Sequence, residues 1–161
     1  MGRVKRIKPG PGQESVWDYP RPPRVERVSE HVSIELGGAV IASTNDAVRV
    51  LETSHPPVYY LPRSAFAPGV LSDADGSSFC EFKGRAGYLD IGTEPKAAWY
   101  YPTPTAGFEQ LVDRVAVYPS RMDRCVVGEE VVTPQEGDFY GGWITSRVVG
   151  PFKGGAGTWG W

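Results

Sequence analysis

Glu52 and His55 stand three residues apart, close enough for a carboxylate and an imidazole to share a proton. The same run, Glu52-Thr53-Ser54-His55-Pro56-Pro57, also suits a rigid turn in which His55 only satisfies backbone groups. Cys80 lies three residues before Lys83, and a nearby cation lowers a thiol pKa and makes it a nucleophile. A lone cysteine is equally at home as a small buried hydrophobe. Cys125, between Arg124 and Val126, reads as structural. Lys83 belongs to Phe82-Lys83-Gly84-Arg85-Ala86-Gly87, which returns 70 residues later as Phe152-Lys153-Gly154-Gly155-Ala156-Gly157. Each copy sets a cation among glycines in a tight turn, where an ammonium group and loop N–H groups can meet an anion. The plainer alternative is a solvated lysine whose stem covers the neighbouring phenylalanine. Two look-alike turns suggest one place that both face, and Arg85, inside the first copy, is the better arginine candidate beside Arg63.

Aromatic residues supply the rest of such a place. Trp99, Tyr100 and Tyr101 are consecutive, so on a strand Trp99 and Tyr101 share a face and Tyr100 points the other way. Tyr140 and Trp143 flank Gly141-Gly142. Large apolar rings with one polar handle suit the walls of a ligand cleft, and they suit a core as well. The candidates are therefore Cys80, Glu52 and His55 for catalysis. Trp99, Tyr101, Tyr140, Trp143, Lys83, Arg85 and Lys153 are the candidates for ligand contact.

These side chains need a scaffold, and the sequence predicts a β one. The chain has 161 residues with 20 glycines and 15 prolines, a length for one domain and a composition against a helical bundle. Val32-Ser33-Ile34-Glu35-Leu36, Gly37-Gly38 and Ala39-Val40-Ile41-Ala42 read as a hairpin. Short strands are predicted at 58–61, 79–82, 87–91, 97–101, 115–118, 125–127, 143–146 and 148–149. Residues 47–52 fit either period. Single helical turns are expected within 64–71 and 108–112. Trp17-Asp18-Tyr19-Pro20-Arg21-Pro22-Pro23-Arg24 must be extended, because three prolines fix φ and remove donors. Residues 1–13 are basic and rich in Gly and Pro, so they are expected to be a flexible tail before a single β domain over 14–161.

Charge and cysteine count narrow the partners. Net charge is −2 and the pI about 5.7, so no global basic field draws the chain to nucleic acid or to a membrane. Two cysteines without an apolar leader point to a reduced, cytoplasmic protein. Two cysteines and two histidines, with no CxxC or HExxH, fall short of a zinc site, and no cofactor is expected.

Several runs are distinctive together and in order. They are 50–63 (Val-Leu-Glu-Thr-Ser-His-Pro-Pro-Val-Tyr-Tyr-Leu-Pro-Arg), 80–86, Ala97-Ala98-Trp99-Tyr100-Tyr101-Pro102, Phe139-Tyr140-Gly141-Gly142-Trp143 and Gly150-Pro151-Phe152-Lys153-Gly154. The chain resembles the family called domain of unknown function 427 over about residues 16–161. Glu81 departs from it, since the family usually has proline after the cysteine. The resemblance implies a compact, mostly β fold similar to β-tent or Mss4-like folds, here without the cysteine pairs that hold zinc. The family sometimes carries a nucleotidyltransferase label. Nothing in this chain supports that chemistry, which needs clustered carboxylates for Mg²⁺. Asp73 and Asp75 form a DxD pair, but in a Gly/Ser-rich loop, where acidic turn residues are ordinary.

The expectation is a small-molecule-binding domain with an aromatic cleft and Lys/Arg contacts for an anionic ligand. An enzyme using Cys80 or the Glu52/His55 pair in that cleft is one alternative. A structural module that homodimerises through exposed rings is the other.

Overall fold

The computed structural model describes residues 4–137 and 139–161. Its strands, in chain order, are β1 (Glu14–Ser15), β2 (Arg24–Arg27), β3 (Val32–Leu36), β4 (Ala39–Thr44), β5 (Val48–Leu51), β6 (Val58–Pro62), β7 (Leu71–Cys80), β8 (Gly84–Ile91), β9 (Glu94–Tyr100), β10 (Arg114–Val117), β11 (Arg124–Val127), β12 (Glu130–Val131), β13 (Thr133–Pro134), β14 (Trp143–Ile144) and β15 (Val148–Val149). Helix is confined, among the described residues, to 3-10 turns of three residues each. The fold is mainly β, as the spacing of Gly and Pro predicts.

Two sheets carry the architecture. A seven-stranded sheet runs β2-β5-β6-β10-β9-β8-β7, and a four-stranded sheet runs β12-β11-β3-β4. Period-2 alternation gives the large sheet two different faces. Tyr59 and Leu61 of β6, Leu89 of β8, and Val115 and Val117 of β10 join Val32, Ile34, Ile41 and Cys125 of the small sheet in the main core. Val50, Tyr60, Ala86, Trp99 and Ala116 turn to the opposite face, where a second apolar cluster forms with Tyr101, Phe108 and Leu111. This second face carries the site described below.

The hairpin β3–β4 closes through Gly37 and Gly38, with Leu36 opposite Ala39. Both glycines have φ near +70°, at 64° and 79°, the conformation a two-residue turn of this hand requires. Residues 47–52, ambiguous in sequence, become β5, whose residues 48–51 are all buried. The Gly/Ser-rich stretch at 73–78 was expected as a loop and is instead the middle of β7. A bulge between Ala74 and Ser77 absorbs Asp75 and Gly76, so pairing with β8 continues on both sides. The strap at 17–24 begins with a 3-10 turn at Val16–Asp18, capped by the Ser15 side chain. Within the expected tail, Ile7 N–H bonds the Gly150 carbonyl at 3.0 Å, and Gln13 Nε2 bonds the Ser146 carbonyl at 2.9 Å. β1 then pairs in parallel with β15. Backbone groups of this Gly/Pro-rich segment are thus met by the far end of the chain.

No described helix is long and apolar enough to cross a membrane.

Candidate functional site

A cavity of about 330 Å³ opens on the second face of the large sheet. Its floor comes from neighbouring strands in register. Tyr60 of β6, Trp99 of β9 and Tyr88 of β8 all turn to this face, with Tyr88 directly opposite Trp99. Tyr101 and Tyr118, just beyond β9 and β10, complete the aromatic wall. The Trp99 ring lies 4.6 Å from Tyr118 and 6.3 Å, edge-on, from Tyr60. Its Nε1–H donates to the Tyr60 hydroxyl at 3.3 Å. Burial above all pushes both the Tyr60 and Tyr101 hydroxyls above the usual tyrosine range, with Tyr60 adding to the rise at Tyr101 and the Trp99 N–H partly opposing it at Tyr60, so both stay protonated at any ordinary pH. The floor is therefore neutral and apolar.

Polar groups stand at the sides. The turn after β5 contributes Glu52 and His55, and the β7–β8 turn contributes Cys80, Glu81 and Lys83. His55 is 7% exposed, and its Nε2 lies 3.4 Å from Glu52 Oε2. Arg21 Nε approaches the same carboxylate at 3.5 Å. Burial raises the Glu52 pKa, but the His55 contact and the charges of His55, Lys83 and Arg21 outweigh it and hold the carboxyl below its usual range. Lys83 Nζ lies 5.9 Å from the centre of the Tyr101 ring.

A depressed carboxyl pKa stabilises the fold above the unfolded-state value, and that contribution is lost as pH falls through the folded-state value. Glu52→Gln removes the term. The Tm gap between the wild-type protein and this variant is expected to be largest near pH 6 and to shrink as pH falls to about 3. Thermal melts across that range check this, and a gap independent of pH contradicts it.

Phe139 and Tyr140 stand at the rim as a lid. Tyr140 meets the His55 ring edge-on at 4.6 Å. Gly141 has φ +69°, and a Cβ there would sit 2.7 Å from the Trp99 ring. Only glycine lets the lid lie this close to the floor. Phe79 and Phe139 are 75% and 68% exposed and form the outer edge of the mouth.

Glu52, His55, Cys80, Lys83, Trp99, Tyr101 and Tyr140 are thus brought to one cavity, whereas the remaining candidates lie elsewhere. Trp143 is completely buried on the opposite face, stacked on Tyr59 at 4.8 Å, with its Nε1 donating to the Val117 carbonyl at 3.4 Å. It belongs to the main core and cannot touch a ligand in this cavity. Arg85 alternates with Ala86 along β8, so it leaves the cavity face. It is exposed and donates to Ser77 Oγ at 3.2 Å. Lys153 is not in the wall either. Its Nζ lies over the Tyr140 ring at 5.3 Å and donates to the Trp161 carbonyl at 3.2 Å. Its backbone N–H bonds the Ser54 carbonyl at 2.9 Å. The two look-alike loops therefore have different tasks. Lys83 faces the cavity, and Lys153 braces the turn and the lid.

Cys125 lies in the main core, where burial pushes its thiol up to about 12, while Cys80 is only half-buried. Tyr60, Tyr88 and Tyr118 were missed as wall residues. The signal was present, since each sits an even number of places from another residue of the same strand face.

A family model described as a domain of unknown function (DUF427) matches residues 24–128. The chain belongs to the DUF427 family. No curated protein matches it. The match is narrower than the resemblance over 16–161 suggested. In this DUF427 chain the matched span runs from β2 through β11 and includes every wall residue up to Tyr118. The lid residues Phe139 and Tyr140 and the second lysine loop lie beyond it. Asp73 and Asp75 of the domain are exposed on β7, an edge strand. Among the described residues no group of three His, Cys, Asp or Glu side chains converges as a metal site.

Proposed function

We propose that this domain binds a small ring-bearing ligand that carries an anionic group. The observation that carries the reading is the cavity itself. Its volume of about 330 Å³ is at the lower end of ligand sites, its floor is aromatic, and one lysine stands in its wall. A planar ring would lie against Trp99 and Tyr101, where ring pairing adds about 0.5–1.5 kcal/mol beyond burial. The anionic group would turn to Lys83. Of the charged wall residues, Glu52 is already matched by Arg21 and His55, at 3.5 and 3.4 Å. Lys83 meets the face of a tyrosine ring, which leaves its ammonium ready to pair with an anion. Two free cysteines support placing this activity in a reducing cytoplasm.

The test is a titration with simple aromatic carboxylates such as 3-phenylpropionate. Affinity is expected to fall about tenfold, or about 1.4 kcal/mol, in Lys83→Met. Equal affinity of the variant and the wild-type protein for acids would remove Lys83 from the site.

A further inference from the structure

The polar wall of the cavity is a carboxylate and an imidazole held in one fixed turn. His55 N–H bonds the Glu52 carbonyl at 3.0 Å, Ser54 N–H bonds the Val16 carbonyl at 3.0 Å, and Lys153 N–H bonds the Ser54 carbonyl at 2.9 Å. Ser54 between them has φ +72°, a conformation that a non-glycine residue keeps only when its surroundings enforce it. Pro56 follows directly and is buried. The side chains meet at 3.4 Å through Nε2 of His55. With Nε2 turned toward the carboxylate, Nδ1 is the ring nitrogen left to take a proton. The carboxylate then stabilises the imidazolium that forms. Lys83 shares the wall with both groups, and its charge is felt by Glu52.

A base and a cation above an aromatic floor suit removal of a proton from carbon beside the carbonyl group of a ring-bearing substrate. This chemistry needs no redox partner and no second nucleophile. We propose that His55 is a general base that removes a proton from the carbon between the ring and the carbonyl of an aryl-substituted 2-oxo acid, whose carboxylate lies toward Lys83. This rests on the reading of the cavity as a site for a ring and an anion. The C–H bond breaks and its proton passes to Nδ1. Its electron pair becomes a carbon–carbon double bond, and the carbonyl π pair moves to oxygen. The ammonium group of Lys83 stabilises the enolate oxygen. Return of the proton to oxygen gives the enol, and return to carbon regenerates the oxo acid, so atoms and charge balance without a co-reactant. Glu52 is a positioning residue, acting only through His55.

The experiment follows deuterium entering the benzylic position of phenylpyruvate in D₂O by proton NMR, with the full chain. The wild-type protein is expected to exchange it about 100-fold or more above buffer. His55→Gln is expected to return exchange to the buffer rate while phenylpyruvate still perturbs the spectrum of the folded variant. Glu52→Gln is expected to lower kcat with KM little changed. This split holds the test open even if His55→Gln does not fold. Wild-type protein that binds phenylpyruvate and exchanges it at the buffer rate overturns the proposal, as does exchange that survives in His55→Gln. Failure to bind phenylpyruvate overturns it too. In that event, binding of 3-phenylpropionate would leave the reading of the cavity standing, and failure of both acids would remove it.

Discussion

Trp143→Ala is expected to lower the unfolding free energy by about 4 kcal/mol. The indole is fully buried in the main core, stacked 4.8 Å from Tyr59. Truncation removes its apolar area and leaves a cavity that neighbouring strands cannot close, because residues such as Val117 and Leu61 are fixed by sheet pairing. It also leaves the Val117 carbonyl without the indole N–H. For a chain of this length the loss corresponds to a Tm fall of roughly 8–16 °C. Urea unfolding followed by circular dichroism measures it. A loss below about 1.5 kcal/mol would contradict the packing described here. Trp143 lies on the face away from the cavity, so the folded variant should keep its ligand affinity.

Arg49→Met is the second large effect, expected at about 3 kcal/mol. Arg49 points to the main-core side of β5, is 1% exposed, and pairs with Glu14 at 2.8 Å and Glu26 at 2.6 Å. These contacts hold β1 against the edge of the large sheet. Burial alone would lower the Arg49 pKa, but the two carboxylates raise it further, so the guanidinium is always charged. Removing it strands two carboxylates. They are 29% and 34% exposed, and Arg147 still reaches Glu14 at 2.9 Å, which keeps the cost at the lower end for a broken buried pair. Glu14→Gln should cost much less, because Glu26 continues to pair with Arg49. Chemical unfolding of both variants gives the comparison. Equal losses would mean that the cluster does not act through Arg49.

Much of the scaffold was legible because its signals are local. Gly37-Gly38 between alternating segments fixes a hairpin by backbone geometry alone, and Pro62 and Pro119 end strands because they lack a donor. The shared face of Trp99 and Tyr101 follows from the pleat. What was not legible depends on which face of which sheet a residue reaches. Trp143 beside two glycines has the same local pattern whether it lines a cavity or fills a core. Its burial is decided by Tyr59 and Val117, which are distant in sequence. Gly141 makes room for Trp99 and Gly142 for Pro56 and Gln135. The two lysine loops share a sequence pattern but not an environment. Lys83 sits in a β-hairpin turn of the sheet that forms the cavity. Lys153 sits in a coil held by Gln135, whose Nε2 donates to the Lys153 carbonyl at 2.6 Å. The 73–78 stretch was misread because a bulge lets a strand tolerate Asp and Gly that would otherwise end it.

Nitrogen-15 NMR of the indole N–H signals tests the central claim most directly. Trp99 lies on the cavity floor and Trp143 behind the sheet, so the two report the two faces of one sheet within one spectrum. On titration with 3-phenylpropionate, the Trp99 signal should shift saturably while the Trp143 signal stays in place. A Trp99 signal that no aromatic acid moves, or a shift confined to Trp159 and Trp161, would contradict the account.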